Sequence, residues 1–433
     1  MQDARRNSEN RSMNGRLYLK LNRENIGFIE HDMKEDRFGL RLDDKTLKLS
    51  PFVFDNGDSG AVKRFLMNLL PEGKGLDELS AMMHISKGNV FGLIKAIGAE
   101  TAGALSFHAA PDETEETAFR EISQEELRER IRERRGTPIT LWDGKVRLSV
   151  AGVQEKLPVL ITPDGRFGFG EGKLASTHIL KFCRYADEHI VLNEHLCMTL
   201  ARRLNLPSAE TEILRFDEPV LNVKRFDRIL MEDRVERNHI IDGCQMLDMP
   251  PFYKYERVYG DGRDVQNFRE GVSLAKLFRT AELCSVPAAA VRDMLNWVLF
   301  NLLIGNCDAH GKNISWRYSS DKISMAPFYD MLSITVYKGK YNESLAIGIG
   351  DTFSPEIYAY DLAEMCETCG IQPRFAARMM EKLAKSVKTE IGDLTAGMEL
   401  SDEESDFACE LISLLKRNAE RYIEVAKELP EVK

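Results

Sequence analysis

A long apolar helix that runs directly into a polar loop is the feature that most constrains this chain. Residues 287–303 are predominantly apolar, and Gly305 is placed to end the predicted helix. The following loop reads Asn-Cys-Asp-Ala-His-Gly-Lys-Asn, so Asp308 and Asn313 stand in D-x-x-x-x-N spacing. A further acid, Asp330, follows in an apolar setting where a solitary charge would be costly. The sequence therefore predicts a buried helix that presents acids and oxygen ligands at its end.

This spacing is typical of a catalytic loop for phosphoryl transfer. In such a loop the Asp accepts the proton of the attacking hydroxyl, while the Asn and a later Asp hold Mg²⁺. Charge spreads over the phosphoryl oxygens during transfer, and Mg²⁺ prefers hard oxygen ligands. We therefore predict Asp308 as the base and Asn313 and Asp330 as magnesium ligands. His310 could face the transferred phosphate, or it could be an ordinary loop histidine.

A lysine on a predicted strand is the candidate for holding the ATP phosphates. Lys181 ends the strand Thr177-His-Ile-Leu-Lys, and Glu194 on the following helix is its natural carboxylate partner. A strand-end lysine that lies along apolar surface and an ordinary exposed helix glutamate are the alternatives. The loop 149–156 is the candidate phosphate-covering loop, although Gly152 is its one glycine. The segment 222–227 is either an adenine-binding hinge or simply the end of a strand.

The composition is that of a globular protein. The 433 residues include 59 Lys and Arg against 69 Asp and Glu, which gives a net charge of −10. A hydrophobic fraction of 43% excludes disorder as the main state, and the acidic balance argues against broad binding to nucleic-acid backbones. The N-terminus has no apolar signal segment and no apolar run is long enough to span a membrane. We therefore expect a cytoplasmic protein with reduced cysteines.

The pattern of periodicity and charge divides the chain into five parts. We predict a disordered tail over 1–14, an α+β subdomain over 15–110 and a charged segment over 111–136. That charged segment is interpreted as a solvated connector in which Ser123 starts a short exposed helix. A β-rich lobe follows over 137–225. From 226 to 433 the chain is predicted to be mostly helical. Ser285 is the predicted N-cap of the long helix, and further amphipathic helices are predicted at about 356–369, 373–388 and 403–427.

A string of short motifs runs through most of the chain. In order they are Ser149-Val-Ala-Gly-Val-Gln-Glu-Lys, Thr177-His-Ile-Leu-Lys, Asn193-Glu, Arg225-Phe-Asp-Arg, Asp242-Gly-Cys-Gln, Lys254-Tyr-Glu, Asp308-Ala-His-Gly-Lys-Asn and Pro327-Phe-Tyr-Asp. Over roughly 15–425 this string resembles the HipA-like serine/threonine kinases, toxins of bacterial type II toxin–antitoxin systems. The resemblance implies an α+β, divergent two-lobed protein-kinase-like fold. Its N-lobe would be β-rich, its C-lobe helical, and an extra N-terminal α+β subdomain would precede both.

The same resemblance implies a full set of site residues. Asp308 would be the base, Lys181 and His310 would act on the phosphates, and Asn313 and Asp330 would bind Mg²⁺. The implied ATP-contacting set is Ser149, Val150, Ala151, Gly152, Val153, Lys156, Lys181, Glu194, Lys224, Arg225, Phe226, His310 and Lys312. Ser149 would match the autophosphorylated serine of the family, whose phosphate expels the loop from the ATP site and silences the kinase. The added charge of about −1.5 to −2 would also repel ATP.

The resemblance also implies partners. It points to a small helix-turn-helix antitoxin dimer, through which the acidic chain would mainly reach operator DNA, and to a protein substrate in translation such as glutamyl-tRNA synthetase. One departure stands out, because His239-Ile-Ile-Asp242 replaces the His-Gln-Glu-Asp common in the family. The predicted catalytic set is complete, so we do not expect a pseudokinase.

Two other functions fit parts of the pattern. A small-molecule phosphotransferase of the aminoglycoside or choline kinase type uses a similar Asp-to-Asn spacing, but it gives the Ser149 loop no obvious role. A non-catalytic corepressor that keeps the fold is the other alternative, and such a protein would fail to bind ATP with Mg²⁺.

Overall fold

The computed structural model describes residues 14–98, 100–113, 116–147, 154–183, 189–319 and 322–432. Most of the predicted tail and the loop residues Ser149 to Val153 therefore lie outside the described residues. By their internal contacts the residues form two compact units. The first comprises Met1–Lys181, Arg225–Ile241 and Arg317–Asp321, and the second comprises Phe182–Lys224, Asp242–Trp316 and Lys322–Lys433.

The elements up to residue 182 alternate between short strands and helices. They are β1 (Asn14–Leu21), β2 (Glu24–Asp32), β3 (Arg37–Leu42), β4 (Lys48–Ser50), β5 (Val53–Phe54), α1 (Ser59–Leu69), α2 (Gly73–Met83), α3 (Val90–Ile97), β6 (Leu105–His108), β7 (Ala118–Ile122), α4 (Gln124–Glu133), β8 (Leu141–Trp142), β9 (Lys145–Val146), β10 (Lys156–Ile161), β11 (Phe167–Glu171) and β12 (His178–Phe182).

The elements after residue 189 include more helix. They are α5 (Ile190–Arg203), β13 (Thr211–Arg215), β14 (Pro219–Lys224), β15 (Arg228–Leu230), β16 (Val235–Arg237), β17 (Ile240–Asp242), α6 (Gly243–Met246), α7 (Leu274–Arg279), α8 (Pro287–Ile304), β18 (Ser315–Tyr318), β19 (Ile323–Met325), α9 (Ala359–Cys369), α10 (Pro373–Glu390) and α11 (Asp402–Glu428).

The first unit is built on antiparallel sheets. One sheet has the order β3-β2-β1-β6, and its alternating buried residues pack under α1 and α3. This alternation of buried and exposed positions is the period-two pattern of a half-buried sheet. A further run of antiparallel pairs joins β12 to β10, β10 to β11 and β11 to β7. In this ladder Lys156 lies directly opposite Lys181.

The second unit packs around the long helix α8. From Met294 to Ile304 almost every α8 residue is buried, and the helix contacts α10 and α11. A helix that is apolar on all sides belongs in the centre of a bundle. The amphipathic helices α10 and α11 bury one face each. The four helices predicted at 287–303 and beyond 356 are thus present with ends shifted by a few residues.

The charged segment 111–136 is not a solvated connector, and that prediction was wrong. Residues Ala118–Ile122 form β7, which pairs with β11, and Leu127 and Ile131 of α4 are buried. The start of α4 was predicted correctly, because Ser123 Oγ accepts a hydrogen bond from the Glu126 N–H. The high charge density led to the wrong prediction, because the charged side chains pair with one another while a few apolar residues bury the segment.

Two further expectations need correction. The chain beyond Phe226 is not mostly helical from the outset, because β15, β16 and β17 follow before α6. Ser285 does not cap α8, whose N-cap is Val286. Ser285 instead exchanges hydrogen bonds with Ile323 of β19, while Pro287 at the first turn lacks the N–H that a cap would satisfy. None of the helices within the described ranges has the length and apolarity needed to cross a membrane.

Candidate active site

The predicted catalytic loop begins where α8 ends on Gly305. Gly305 has a φ of 68°, the left-handed conformation that glycine adopts at helix ends. A Cβ at this position would lie 2.0 Å from Thr335 Oγ1, so no larger residue fits. The next residue, Asn306, donates to Asn301 Oδ1 on the helix (2.8 Å) and accepts from the Asp308 N–H (3.0 Å). Asn306 therefore ties the loop to the helix, a role that spacing alone did not reveal.

Asp308 and Asn313 are brought together by this loop. Asn313 is buried and its Nδ2 donates to the main-chain carbonyl of Asp308 (3.1 Å). The Asp308 carboxylate is half-buried and accepts a hydrogen bond from the Tyr255 hydroxyl (2.9 Å). Tyr255 stood in a quoted motif, but nothing in the sequence indicated this contact.

His310 is buried beside the same tyrosine. Its ring meets Tyr255 edge to face with centroids 5.2 Å apart. Burial lowers the pKa of His310 to about 3, and Lys254 contributes in the same direction, while Asp330 opposes the shift. His310 is therefore a neutral imidazole at pH 7.

Lys312 is held by an ion pair. Its ammonium donates to Asp242, and both side chains are largely buried. Asp242 in turn caps α6, where it accepts from the Gln245 N–H (2.9 Å) in a capping box. The Tyr329 hydroxyl donates to the Lys312 carbonyl (2.6 Å). Lys312, predicted to contact ATP, is thus fixed in position by Asp242.

Asp330 has a strained backbone. Its φ is 60°, a conformation that few non-glycine residues adopt and that often marks functional positions. The segment just beyond it is clamped to α5, because Asn193 accepts from the Ser333 N–H (2.9 Å) and donates to the Ser333 carbonyl (2.8 Å). Glu194, the neighbour of Asn193, is also buried rather than an ordinary exposed helix residue.

The side-chain oxygens of Asn313 and Asp330 are of the kind that binds a divalent cation. The Nδ2 of Asn313 is used by the Asp308 carbonyl, so its Oδ1 is the atom that can bind a metal. Together with the Asp330 carboxylate it supplies two hard oxygen donors of the kind that Mg²⁺ takes. Among the described residues, no group of three or more His, Cys, Asp or Glu side chains could hold a metal ion. A Mg²⁺ ion at this pair would therefore draw its other ligands from phosphates and water.

The predicted residues of the first unit form a separate group. Lys181 is buried and stands opposite Lys156 on the neighbouring strand. Two cations placed directly across a ladder repel each other, so an anion near them would be stabilising. Their register follows from the antiparallel pairing of β10 with β12.

The segment 224–226 is largely committed to internal contacts. Lys224 is exposed and pairs with Glu210 (3.2 Å), and its N–H donates to the Glu210 carbonyl. The Arg225 guanidinium is buried against Asp227 (2.8 and 3.0 Å), and its N–H donates to the Thr177 carbonyl. Phe226 is half-buried. The side chain of Arg225 is therefore part of an ion-pair cluster in the first unit.

Comparison with known proteins agrees with this arrangement of elements and motifs. The family model for the HipA-like C-terminal domain matches residues 148–391, and the model for the HipA N-terminal domain matches residues 21–108. The serine/threonine-protein kinase toxin HipA of Shewanella oneidensis is 40% identical over 418 residues, which cover 94% of this chain and 96% of that protein.

A solved structure gives the same result in three dimensions. The structure of Shewanella oneidensis HipA, in a complex with HipB and its operator DNA, superimposes on this chain with a TM-score of 0.89. The match covers 96% of this chain and 100% of that chain at 40% identity. The mixed α/β fold and these matches define the class of protein as a serine/threonine-protein kinase, an enzyme class that uses ATP. The chain belongs to the HipA family of toxin–antitoxin systems.

Proposed function

We propose that this chain is an ATP- and Mg²⁺-dependent serine/threonine kinase with a divergent two-lobed kinase-like fold. It acts as a bacterial toxin that phosphorylates a protein of translation, with glutamyl-tRNA synthetase as the first candidate substrate. Phosphorylation of that substrate stops growth. The relative of known structure is in complex with HipB and operator DNA. By analogy, the partner here is a helix-turn-helix antitoxin dimer that carries the chain to its operator.

The observation that carries this proposal is the hydroxyl held at Asp308. A base in phosphoryl transfer must accept a hydrogen bond from the attacking hydroxyl. The Tyr255 hydroxyl donates to Asp308 Oδ1 at 2.9 Å, which is the contact that a substrate serine or threonine would have to make. The carboxylate is also partly exposed, as a base that meets a protein substrate needs to be.

The residues around Asp308 have separable roles. Asn313 and Asp330 hold Mg²⁺, which would neutralise charge on the transferred phosphoryl group when bound. Neutral His310 donates or accepts a hydrogen bond near that group without adding charge. Lys312, kept in place by Asp242, adds a fixed cation on the loop.

The phosphates of ATP are assigned to Lys181 and Lys156. Their opposed positions on β12 and β10 concentrate two positive charges in one place on the ladder. Glu194 supports Lys181 in this proposal. Phe226 contributes the apolar contact to adenine, since the Arg225 side chain is engaged by Asp227. Ser149 is the proposed autophosphorylation site and off-switch, and the loop Ser149–Val153 covers the phosphates.

Transfer of label from γ-³²P-ATP tests the proposal. Purified chain is incubated with Mg²⁺, alone and with bacterial lysate or purified glutamyl-tRNA synthetase, beside Asp308→Asn. We expect a labelled self band with phosphate on Ser149 and labelled synthetase, both absent for Asp308→Asn. The matched control is Asp406→Asn, the same change at an exposed position of α11, which should behave as wild type.

The possible failures of this experiment point to different errors. Labelling that survives Asp308→Asn would show that Asp308 is not the base. Labelling of another translation protein would correct the substrate alone, and the absence of phosphate on Ser149 would remove the off-switch. If no protein is labelled although ATP binds, the kinase assignment itself is wrong.

A further inference from the structure

A cavity of about 600 Å³ lies within the first unit, apart from every residue assigned above to phosphoryl transfer. One side is formed by β1, α3 and β6 of the N-terminal sheet module. The other side is formed by β9, β10, β11 and β16. Pockets for small organic molecules in proteins typically have about 300–1,000 Å³, so the cavity is large enough for one.

The lining carries an excess of positive charge. Six lysine and arginine side chains line the cavity against three glutamates. The glutamates are engaged by neighbours: Glu171 pairs with Lys145 (2.7 Å), Glu113 accepts from the Ala109 N–H (2.7 Å), and Glu100 accepts from the Ser176 N–H (2.9 Å). Lys145 and Arg147 (2.9 Å) share the one carboxylate of Glu171, so positive charge on the lining exceeds negative charge.

Part of this positive charge is buried. Burial lowers the pKa of Arg237; Glu100 and Asp227 oppose this shift, while the neighbouring Arg225 and Arg23 add to it. Arg147 lies over the Phe169 ring at 4.5 Å and pairs with Glu171 (2.9 Å), while its Nε is buried without a hydrogen-bond partner among the described residues. A buried guanidinium in such surroundings is costly, and an anion in the cavity would offset that cost.

The remaining lining is apolar. Ile97, Leu160, Phe169 and Val235 contribute side chains to it. A ligand that matches both surfaces has an anionic group at one end and a compact organic body at the other. Arginine recognises phosphate with two parallel hydrogen bonds, and an aromatic ring such as Phe169 can stack on a flat heterocycle.

We propose that this cavity binds a small phosphate ester of the size of a nucleoside monophosphate. Its phosphate lies towards Arg23, Lys173 and Arg237, and its organic body lies against Phe169 and Leu160. The site is separate from the proposed ATP site and does not depend on the proposed kinase activity. It gives the N-terminal module a ligand of its own.

Calorimetric titration with guanosine 5′-monophosphate tests this site. The full chain is first saturated with the non-hydrolysable analogue AMP-PNP and Mg²⁺, so that an ATP site, where present, is already filled. We expect one equivalent of guanosine 5′-monophosphate to bind under these conditions. Ribose 5-phosphate should bind more weakly, and guanosine without phosphate should not bind. Binding should weaken as the salt concentration rises.

A double variant at two exposed cations of the cavity lining tests the proposed phosphate contact. Arg23→Gln with Lys173→Gln should weaken binding by at least about tenfold, since the residues lie on the surface and their loss leaves the fold intact. The matched control is Lys34→Gln with Arg166→Gln, two exposed cations of the same unit outside the cavity.

Three results would overturn the proposal. These are no binding of either phosphate ester at millimolar concentration, equal affinity of both double variants, and loss of binding when AMP-PNP is present. The last result would place the ligand in the ATP site. A chain that fails to bind AMP-PNP would refute the kinase proposal while leaving the cavity test valid.

Discussion

The molecule contains two clusters of buried charge that look alike in sequence and differ in structure. The arginine cluster of the first unit consists of Glu100, Arg225, Asp227 and Arg228. The loop cluster of the second unit consists of Asp242, Tyr255, Asp308, His310 and Lys312. Both come from short motifs that mix acids and cations.

In the arginine cluster the charged side chains pair with one another. Asp227 accepts from Arg225 and Arg228 and from the Gly103 N–H (3.0 Å), and its side chain is 5% exposed. Arg228 also donates to two main-chain carbonyls of the N-terminal module, those of Thr101 and Gly103 (both 2.9 Å). Burial by itself would raise the pKa of Asp227, but the two arginines outweigh it and lower that pKa. This cluster joins segments of the fold.

In the loop cluster Lys312 pairs with Asp242, but the other hydrogen bonds orient groups on the loop. Asn306 and Asn313 fix the main chain, while the Asp308 carboxylate stays partly exposed and accepts from the Tyr255 hydroxyl on Oδ1. The two clusters therefore differ in what their charges meet: acids and cations compensate one another in the arginine cluster, whereas the Asp308 carboxylate stays accessible to solvent, as its proposed role as a base requires.

The largest predicted effect is a loss of activity, and it distinguishes the loop cluster from the arginine cluster. Asp308→Asn should lower the rate of phosphoryl transfer on the order of 10³-fold, because the carboxylate is the proposed base. The same change should leave the unfolding free energy within about 1 kcal/mol, since the residue is partly exposed. Rate measurements with labelled ATP and urea unfolding check both parts. A loss of stability as large as the loss of activity would erase the distinction.

The next effect concerns stability. Asp227→Asn should destabilise the protein by roughly 3 kcal/mol, because it leaves Arg225 and Arg228 buried with too little negative charge. Urea unfolding measures the change. Molecules that remain folded at low temperature should keep wild-type phosphoryl transfer. The exposed Asp164→Asn serves as the control, and an effect as small as that of the control would show that the cluster is not structural.

The pH dependence of stability sharpens the same contrast. Because the pKa of Asp227 is lowered in the folded state, its contribution is complete above the unfolded value of about 3.9. That contribution is lost as the pH falls below this value towards the folded pKa, at up to about 1.4 kcal/mol per pH unit. Asp227→Asn should therefore flatten the acid limb of the stability curve. Parallel acid limbs for wild type and Asp227→Asn would contradict this.

The smallest predicted effect concerns the Tyr255 hydroxyl, which donates to the proposed base Asp308. Tyr255→Phe removes the donor to Asp308 and with it a competitor of the substrate hydroxyl. A hydrogen bond to a carboxylate contributes about 1.5 kcal/mol or more, so KM for the protein substrate should fall by about tenfold with little change in kcat. Steady-state kinetics measure both constants, with Tyr259→Phe as the exposed control. A fall in kcat would mean that Tyr255 assists the reaction rather than competing with the substrate.

Local sequence signals predicted many of the elements. The helix over 287–303 and its stop at Gly305 were confirmed, because apolar periodicity and a left-handed glycine act over a few residues. The strands Lys156–Ile161 and His178–Phe182 were predicted for the same reason. The charged segment 111–136 was misjudged, since pairing with β11 is a long-range contact that composition does not record.

The candidate site shows the same limit. The residues Asp308, Asn313 and Asp330 could be named from spacing and motif, and their roles stay predictions. The sequence did not indicate the partners that orient the loop, namely Asn306, Tyr255 and Asp242. Each partner contacts the loop through a turn or a tertiary contact. The periodicity of the sequence does not predict the geometry of such contacts.

By itself, the sequence determined many of the helices and strands, which family the chain resembles and which residue types are chemically suited to phosphoryl transfer. These properties depend on residue type and short spacing. Only the tertiary structure decided that Arg225 and Asp227 compensate each other, that a tyrosine hydroxyl rests on Asp308, and that cations gather around a cavity in the first unit. The physical reason is that burial and pairing energies depend on distances between residues far apart in the chain.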